Sequence, residues 1–378
     1  MKKDIPTNNY DGWKTPIIGK DSFEKLSTYE ALLYLCRFGH LAPSSHNTQP
    51  WRFVIDQNTN SIYIYLDRKF VLTASDTHGR QAVISVGCAI QNIITAAQYF
   101  NFYESIKINK LKKEHTLPYR ESDNIARYSF VGGIRLGNKI DKLVSRHKKL
   151  LESILSRKVV RAEYDVQFVI PKHIIKIIEK VPDGQHASVK LLTAHAIKML
   201  IAEFQGQADN FVINSKKFSR ELGEWFLPND TDSGLGMPGI GFGLQDDEAV
   251  RIHEGLFGQQ NLRPDDGLKF SLAGKKGIET SSLIGIITCP KDDAEHWIHA
   301  GLVFEKIFLI LNNEGINVAV HAGIVEVGLI NRMFCVALGI KGSIAVIFRA
   351  GKVKNKEHAK RLHSPRLPIE SMLLAQKP

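Results

Sequence analysis

Cysteine is scarce in this 378-residue chain: Cys36, Cys88, Cys289 and Cys335 stand far apart and form no Cys-x-x-Cys pair. That excludes a disulfide scaffold and a thiolate zinc site, and it reads as reduced, mostly buried thiols of a cytoplasmic protein. No run approaches the roughly 20 apolar residues that span a bilayer. The start, Met1-Lys-Lys-Asp-Ile-Pro-Thr-Asn-Asn, has no apolar signal core, so neither membrane insertion nor secretion is expected. The 14 histidines show no His-Glu-x-x-His or similar compact spacing, and no metal is indicated. A Gly-x-Ser-x-Gly elbow is missing too, although a dispersed Ser-His-Asp triad stays open. Gly234-x-Gly236 and Gly239-x-Gly241-x-Gly243 follow no clear strand and open no periodic helix, which makes them a weak dinucleotide signal.

Acidic residues are in deficit, 39 against 50 lysines and arginines, for a formal charge of +11. The excess is spread along the chain. Its densest runs, Lys110-Leu-Lys-Lys113 and Lys352-Val-Lys-Asn-Lys356, read as solvated loops or element ends. No aromatic-basic platform accompanies them, so solubility and weak attraction for anions are expected rather than a nucleic-acid partner.

What is present is an ordinary globular composition, 43% apolar and 24% charged, in a chain longer than one usual domain. Two domains or a duplicated fold follow from that length. Tyr29–Phe38 reads as a buried helix, and Arg52–Ile55 with Ser61–Leu66 as a hairpin around Gln57-Asn-Thr-Asn60. Val83, Gly87, Ile90, Ile94 and Ala97 keep helical spacing over residues 80–98. Strands are expected at Ser105–Ile108 and Tyr128–Val131, then a charged helix from about Lys139 to Leu155. A second half begins near Ser156, with a helical pattern over His186–Phe204 and a glycine-rich surface loop over Asp230–Gly243. Ser282–Thr288 and Ser343–Phe348 read as strands around a core helix that carries Ala300, Phe304, Ile307, Phe308 and Leu311 and stops at Gly315. Strands separated by helices, with hairpins as well, favour an α+β sandwich over a regular Rossmann fold.

The most specific segment is Leu41-Ala-Pro-Ser-Ser-His-Asn-Thr-Gln-Pro-Trp-Arg-Phe53. Short polar side chains leave its backbone amides open to a flat ligand, just ahead of an apolar strand. It closely resembles the Ala-Pro-Ser-(Ser/Ala)-x-Asn-x-Gln-Pro-Trp loop of the FMN-dependent nitroreductase superfamily. The resemblance continues through Ser156-Arg-Lys-Val-Val-Arg161, similar to that superfamily's Arg-rich phosphate clamp, and His363-Ser-Pro-Arg-Leu-Pro368, similar to its terminal Ser-Arg-x-Pro segment. Asp67-Arg68, Asp76-Thr-His-Gly-Arg80, His296-Trp297 with Ala300-Gly301, and Phe348-Arg349-Ala-Gly351 resemble the longer Acg-like branch, from about residue 29 to 372.

This resemblance implies a nitroreductase-like three-layer α+β fold, with two related halves fused as a pseudo-dimer around mixed or antiparallel sheets. Residues 1–150 would carry the flavin loop and 151–378 the phosphate clamp. It implies FMN as cofactor, NAD(P)H as co-substrate, a nitroaromatic or quinone acceptor, and a monomer or homodimer. Pro43, Ser44, Ser45, Asn47 and Gln49 would hold the flavin ring. Arg157, Arg161, Ser364 and Arg366 would hold the phosphate, as planar guanidinium forks suit that group. His321 lies in Val318-Ala-Val-His-Ala-Gly323, similar to a stretch that passes the flavin. No protein acid, base or nucleophile is named, because the flavin carries the chemistry. The alternative is an FMN-storing protein whose loop Gly234–Gly243, with Glu221–Leu227, closes over the flavin as a lid. Plainer readings stay open residue by residue: Arg157 and Arg161, four apart, suit surface ion pairs, and Ser44, Ser45 and Asn47 suit a turn.

Overall fold

The structure, a computed structural model, describes residues 8–137, 147–258 and 265–375. The first half contains α1 (Lys20–Glu24), α2 (Thr28–His40), β1 (Trp51–Asp56), β2 (Ser61–Asp67), α3 (Arg80–Tyr99), β3 (Tyr103–Ile108) and β4 (Tyr128–Leu136). Then come α4 (Lys148–Ser156), α5 (Lys172–Glu179), β5 (Ser188–Leu192), α6 (His195–Asn214), α7 (Lys216–Trp225), β6 (Phe226–Leu227) and β7 (Met237–Pro238). The chain continues through α8 (Asp246–Gly258), α9 (Asp266–Glu279), β8 (Leu283–Cys289), α10 (Ala294–Asn313), β9 (Asn317–Val320), α11 (Gly323–Glu326), α12 (Gly328–Leu338) and β10 (Ser343–Gly351).

Two four-stranded antiparallel sheets result, in the orders β1-β2-β4-β3 and β5-β8-β10-β9. The orders superimpose: β2–α3–β3–β4 corresponds to β8–α10–β9–β10, with β1 and β5 as matching edge strands. A four-residue turn, Gln57–Asn60, joins β1 to β2. In the second half that turn is replaced by an excursion through α6–α9.

The helices α3 and α10, each of 20 residues, pack together between the two sheets. Their crossing is reciprocal. A Cβ at Gly87 would lie 2.3 Å from the Ile298 carbonyl oxygen, and one at Gly301 would lie 2.1 Å from that of Ile84. Both glycines stand three residues after the isoleucine whose carbonyl faces the partner helix, the mark of an internal two-fold. The sheet–helix–sheet layering and the paired halves match the expected fold. By length and composition α3 is apolar enough to cross a membrane, but 94% of its apolar window is buried between the sheets. A second core, with Ile201, Ile284, Phe334 and Ile347, packs α6 and α12 on the outer face of the second sheet.

Two expected elements differ. His186–Phe204 is not one helix: Ser188–Leu192 is a strand paired with β8, and α6 starts at His195. Val189 and Leu191 alternate toward the core, and Leu191 happens to fit both periods. Of the helix expected from Lys139, α4 covers Lys148–Ser156, and residues 138–146 lie outside the described segments. The remaining expected elements lie within a few residues of their positions, with β4 extended to Leu136 through Gly132-Gly133.

Candidate functional site

The loop joining α2 to β1 is strained. His46, Asn47 and Gln49 have φ of 48°, 56° and 50°, in the left-handed region that side chains other than Asn rarely occupy. Such residues cost about 1 kcal/mol or more each unless their surroundings hold them. Here the hold comes from the far end of the chain. Asn47 donates to the carbonyls of Gly236 (3.0 Å) and Pro365 (2.9 Å) and accepts from Arg366 Nη1 (2.7 Å). Gln49 donates to the Gly234 carbonyl (2.7 Å) and accepts from the Leu367 amide (3.2 Å). Beneath them His40 accepts from Trp51 Nε1 (3.2 Å) and bonds the Leu367 carbonyl through Nε2 (2.7 Å). Burial, then the neighbouring Arg366, pushes the His40 pKa down to about 3, so the ring is a neutral structural link.

A cavity of about 80 Å³ opens beside this loop. Of the expected site residues, Pro43, Ser44, Asn47, Arg157, Arg161, Ser364 and Arg366 border it together. Arg157, Lys158, Arg161, Arg361 and Arg366 supply positive charge, His358 and His363 add imidazoles, and among the described residues no aspartate or glutamate borders it. The cations differ in availability. Arg366 is buried, and its fork already serves the carbonyls of His40, Leu41, Ala42 and Pro365 besides Asn47. Arg157 donates to the Leu41 carbonyl and pairs with Glu305. By contrast Arg361 Nη1, His358 Nδ1 and His363 Nδ1 are buried with no hydrogen-bond partner. Arg161 keeps exposed surface, with its guanidinium 4.7 Å from the Phe242 ring centre.

Ser45, Gln49 and His321 do not border the cavity. Ser45 donates to Gln81 (2.6 Å), whose amide donates to Glu326 (3.0 Å) and to the Ser75 carbonyl (3.2 Å). His321 follows β9, behind Arg161. Burial, then Arg349 and Arg161, holds its pKa well below the ordinary range, and its Nε2 is buried without a partner.

Several wall residues escaped sequence reasoning. Trp13 stacks on His363 at 4.0 Å, donates to the Ser364 carbonyl (2.8 Å) and lies 4.7 Å from the Arg366 guanidinium. Arg361 follows the basic run that ends at Lys356, and Glu305, behind the wall beside Arg157, sits in a mostly apolar stretch of α10. Neither stretch carries a motif.

The glycine-rich segment covers one side. Met237, Pro238, Ile240, Gly241 and Phe242 border the cavity, and α7 anchors the same excursion to the first half. Glu221 accepts from the Ala74 amide (2.7 Å), the Ser75 amide (2.9 Å) and hydroxyl (2.7 Å), and the Thr73 hydroxyl (3.2 Å). Near this clasp Asp76 accepts from the Gln81 and Ala82 amides at the head of α3. Burial raises the pKa of Asp76 to about 7, of Glu326 to about 7 and of Asp209 to about 8, against the hydrogen bonds each receives.

No protein-family model matches the chain. Two curated proteins of Mycobacterium tuberculosis are similar over parts of their length. One, an uncharacterized protein, is 27% identical over 140 residues, 36% of this chain and 35% of that protein. The other, named "Putative NAD(P)H nitroreductase acg", is 38% identical over 55 residues, 15% of this chain and 16% of that protein. The chain thus matches about a third or less of the length of these relatives. Among solved structures, a "putative nitroreductase" from Anabaena variabilis is 11% identical with a TM-score of 0.47, over 93% of this chain and 98% of that one. The FMN-dependent nitroreductase NfnB from Mycobacterium smegmatis, in complex with NADPH, is 13% identical with a TM-score of 0.39, over 61% and 99%.

Proposed function

We propose that this chain is an FMN-dependent oxidoreductase of nitroreductase type, passing hydride from NAD(P)H to a nitroaromatic, quinone or similar small acceptor. The observation that carries this reading is the cavity wall: five cations, two imidazoles and, among the described residues, no carboxylate beside the nitroreductase-like loop. Buried donors without an acceptor are costly, about 1–3 kcal/mol each. A phosphate satisfies several at once through charge-assisted hydrogen bonds. The residues present therefore fit the FMN phosphate. Arg361, Arg161 and Lys158, with Ser364, are its direct donors in this reading, while Arg157 and Arg366 fix the loop and add positive potential. Pro43, Ser44, Ser45, Asn47 and Gln49 shape the ring side of the site, and Asn47 and Gln49 do so by locking the backbone. His321, a neutral ring with a buried unpartnered Nε2, belongs to the same region in this reading, and the positive potential beside it comes from Arg349 and Arg161. FMN, when bound, supplies the hydride chemistry, and no protein acid or base is assigned. The division near residues 150 and 151 is part of the proposal, with the loop from one half and the phosphate donors from the other.

A purified, tag-free sample tests the reading directly. A yellow protein whose flavin band bleaches under anaerobic NADPH or NADH is expected. A colourless protein that takes up no added FMN would sink it.

A second reading, FMN storage with little turnover, is favoured by one observation. The cavity of about 80 Å³ is closed on one side by Met237–Phe242, whereas ligand pockets commonly run to about 300 Å³ or more. A flavin ring and a stacked acceptor need that segment to lift. Glu221→Ala frees its anchor at residues 73–75. Faster reduction of a bulky quinone by this variant supports a closed lid; an unchanged rate argues against it.

A further inference from the structure

The internal two-fold that relates α3 to α10 also relates the loop before β1 to the turn before β5. Where the first half presents Pro43–Gln49, the second presents Val181-Pro-Asp-Gly-Gln-His-Ala187 against the first turns of α10. This second position has lost the polar loop and gained imidazoles. His186 stacks on His299 with ring centres 3.9 Å apart and planes 10° apart, and His296 lies 5.6 Å from His186. Donor atoms of Asp183, His186 and His299 fall within 4.8 Å of one another.

Two of the three rings are oriented in the same way. Nδ1 of His186 is 2.7 Å from Asp183 Oδ2, and Nδ1 of His296 is 2.6 Å from Asp293 Oδ1. A carboxylate on Nδ1 fixes the tautomer and leaves Nε2 bare, the arrangement that commonly supports metal-bound imidazoles. Asp183 is itself held, since its Oδ1 accepts from the Gln185 and His186 amides at 3.0 and 2.9 Å.

We propose that Asp183, His186 and His299 form a site for a borderline divalent transition metal of the zinc class, with His296, oriented by Asp293, beside them. Tetrahedral donors around Zn²⁺ stand about 3.4 Å apart at bond lengths near 2.0–2.1 Å. The stacked rings must therefore tilt so that their donors converge on one point. The turn bearing His186 is exposed at 183–185 and allows that adjustment. Chain spacing hides the site, because His186 and α10 are distant in sequence. The proposal is independent of the flavin reading, which concerns the other end of the two-fold.

The test is titration of EDTA-stripped, tag-free full-length protein with Co²⁺ and Zn²⁺. One equivalent of Co²⁺ is expected to give visible d–d absorption that Zn²⁺ displaces. His186→Ala and His299→Ala should each weaken binding at least tenfold, and Asp183→Asn by about tenfold. His115→Ala, remote from the cluster, should bind as the parent does. Absence of stoichiometric binding, or parent-like binding by His186→Ala, overturns the proposal. Should His299→Ala fail to fold, the turn variant His186→Ala decides alone.

Discussion

Arg157 Nε lies 3.2 Å from Glu305 Oε1, with both side chains buried, so the cation at the cavity edge carries its own counter-charge. Burial raises the Glu305 pKa, and Arg157 opposes that rise. Glu305→Gln would leave the guanidinium in the core with the Leu41 carbonyl and the rings of Phe308 and Trp13, and no negative charge, among its described contacts. Removing one partner of a buried ion pair typically costs about 3 kcal/mol. Urea unfolding should show a loss of that size, and a loss below about 1 kcal/mol would show the pair to be dispensable.

Gly301→Ala sets two effects against each other. Helix propensity favours alanine by about 1 kcal/mol. A methyl group 2.1 Å from the Ile84 carbonyl oxygen forces two core helices apart. Overpacking of this kind costs about 1–3 kcal/mol or more, and rigid backbone on the far side puts it at the upper end. A net loss of about 2 kcal/mol is expected for Gly301→Ala, and likewise for Gly87→Ala, by calorimetry. A gain at either position would contradict the close crossing.

The raised carboxyls give a pH dependence of definite sign. Asp76 and Glu326 titrate near 7 and Asp209 near 8 in the folded protein, all above their ordinary values. Between the ordinary and raised values the folded state holds protons that the unfolded state has released. The contribution of these three carboxyls to stability therefore falls as pH rises from about 5 to 8, by at most about 1.4 kcal/mol per pH unit for each group, while the buried neutral histidines His40 and His321 contribute in the opposite sense below about 6.5. Because the charge of Glu326 raises Asp209, and that of Asp76 raises Glu326, the titration is shared among them. Relative to the parent, Glu326→Gln should lose less stability, or gain more, as pH rises from about 5 to 8, measured by denaturant midpoints. A variant profile parallel to the parent's over this range would refute the assignment.

Arg361 offers the cleanest test of the phosphate reading, since its Nη1 is buried and unpartnered. Losing one charge-assisted hydrogen bond costs about 1.5–3 kcal/mol, roughly a tenfold to hundredfold change in affinity. Arg361→Ala should weaken FMN binding by that factor in a fluorescence titration, with little change in melting. Unaltered affinity would move the phosphate elsewhere.

Much of this was legible in the sequence because single periods governed it. The residues Val83, Gly87, Ile90, Ile94 and Ala97 lie on a helix buried nearly throughout, so their spacing was undisturbed. The Pro-Ser-Ser-His-Asn loop was legible as a motif. Its left-handed residues were not, because Asn47 and Gln49 are held there by Gly234, Gly236, Pro365 and Leu367, which no local rule reports. The strand β5 was read as helix because it is a half-exposed edge running straight into α6. The charged residues Arg361, in the wall, and Glu305, behind it, were silent for another reason. One follows a basic run and the other sits in a mostly apolar stretch of α10, and only folding makes the first an orphan donor and the second a counter-ion.

The strained loop also sets an order of events at the ribosome. Asn47 and Gln49 meet partners at Gly234, Gly236, Pro365 and Leu367, and Phe53 pairs with Leu373 and Leu374 in the tail. Synthesis runs from the amino terminus at about 5–20 residues per second. The first sheet and α3 can gather while the chain grows, but the loop's last restraints are translated 318 residues after Gln49. Until that stretch has emerged, the strained residues have been made without the partners that hold them.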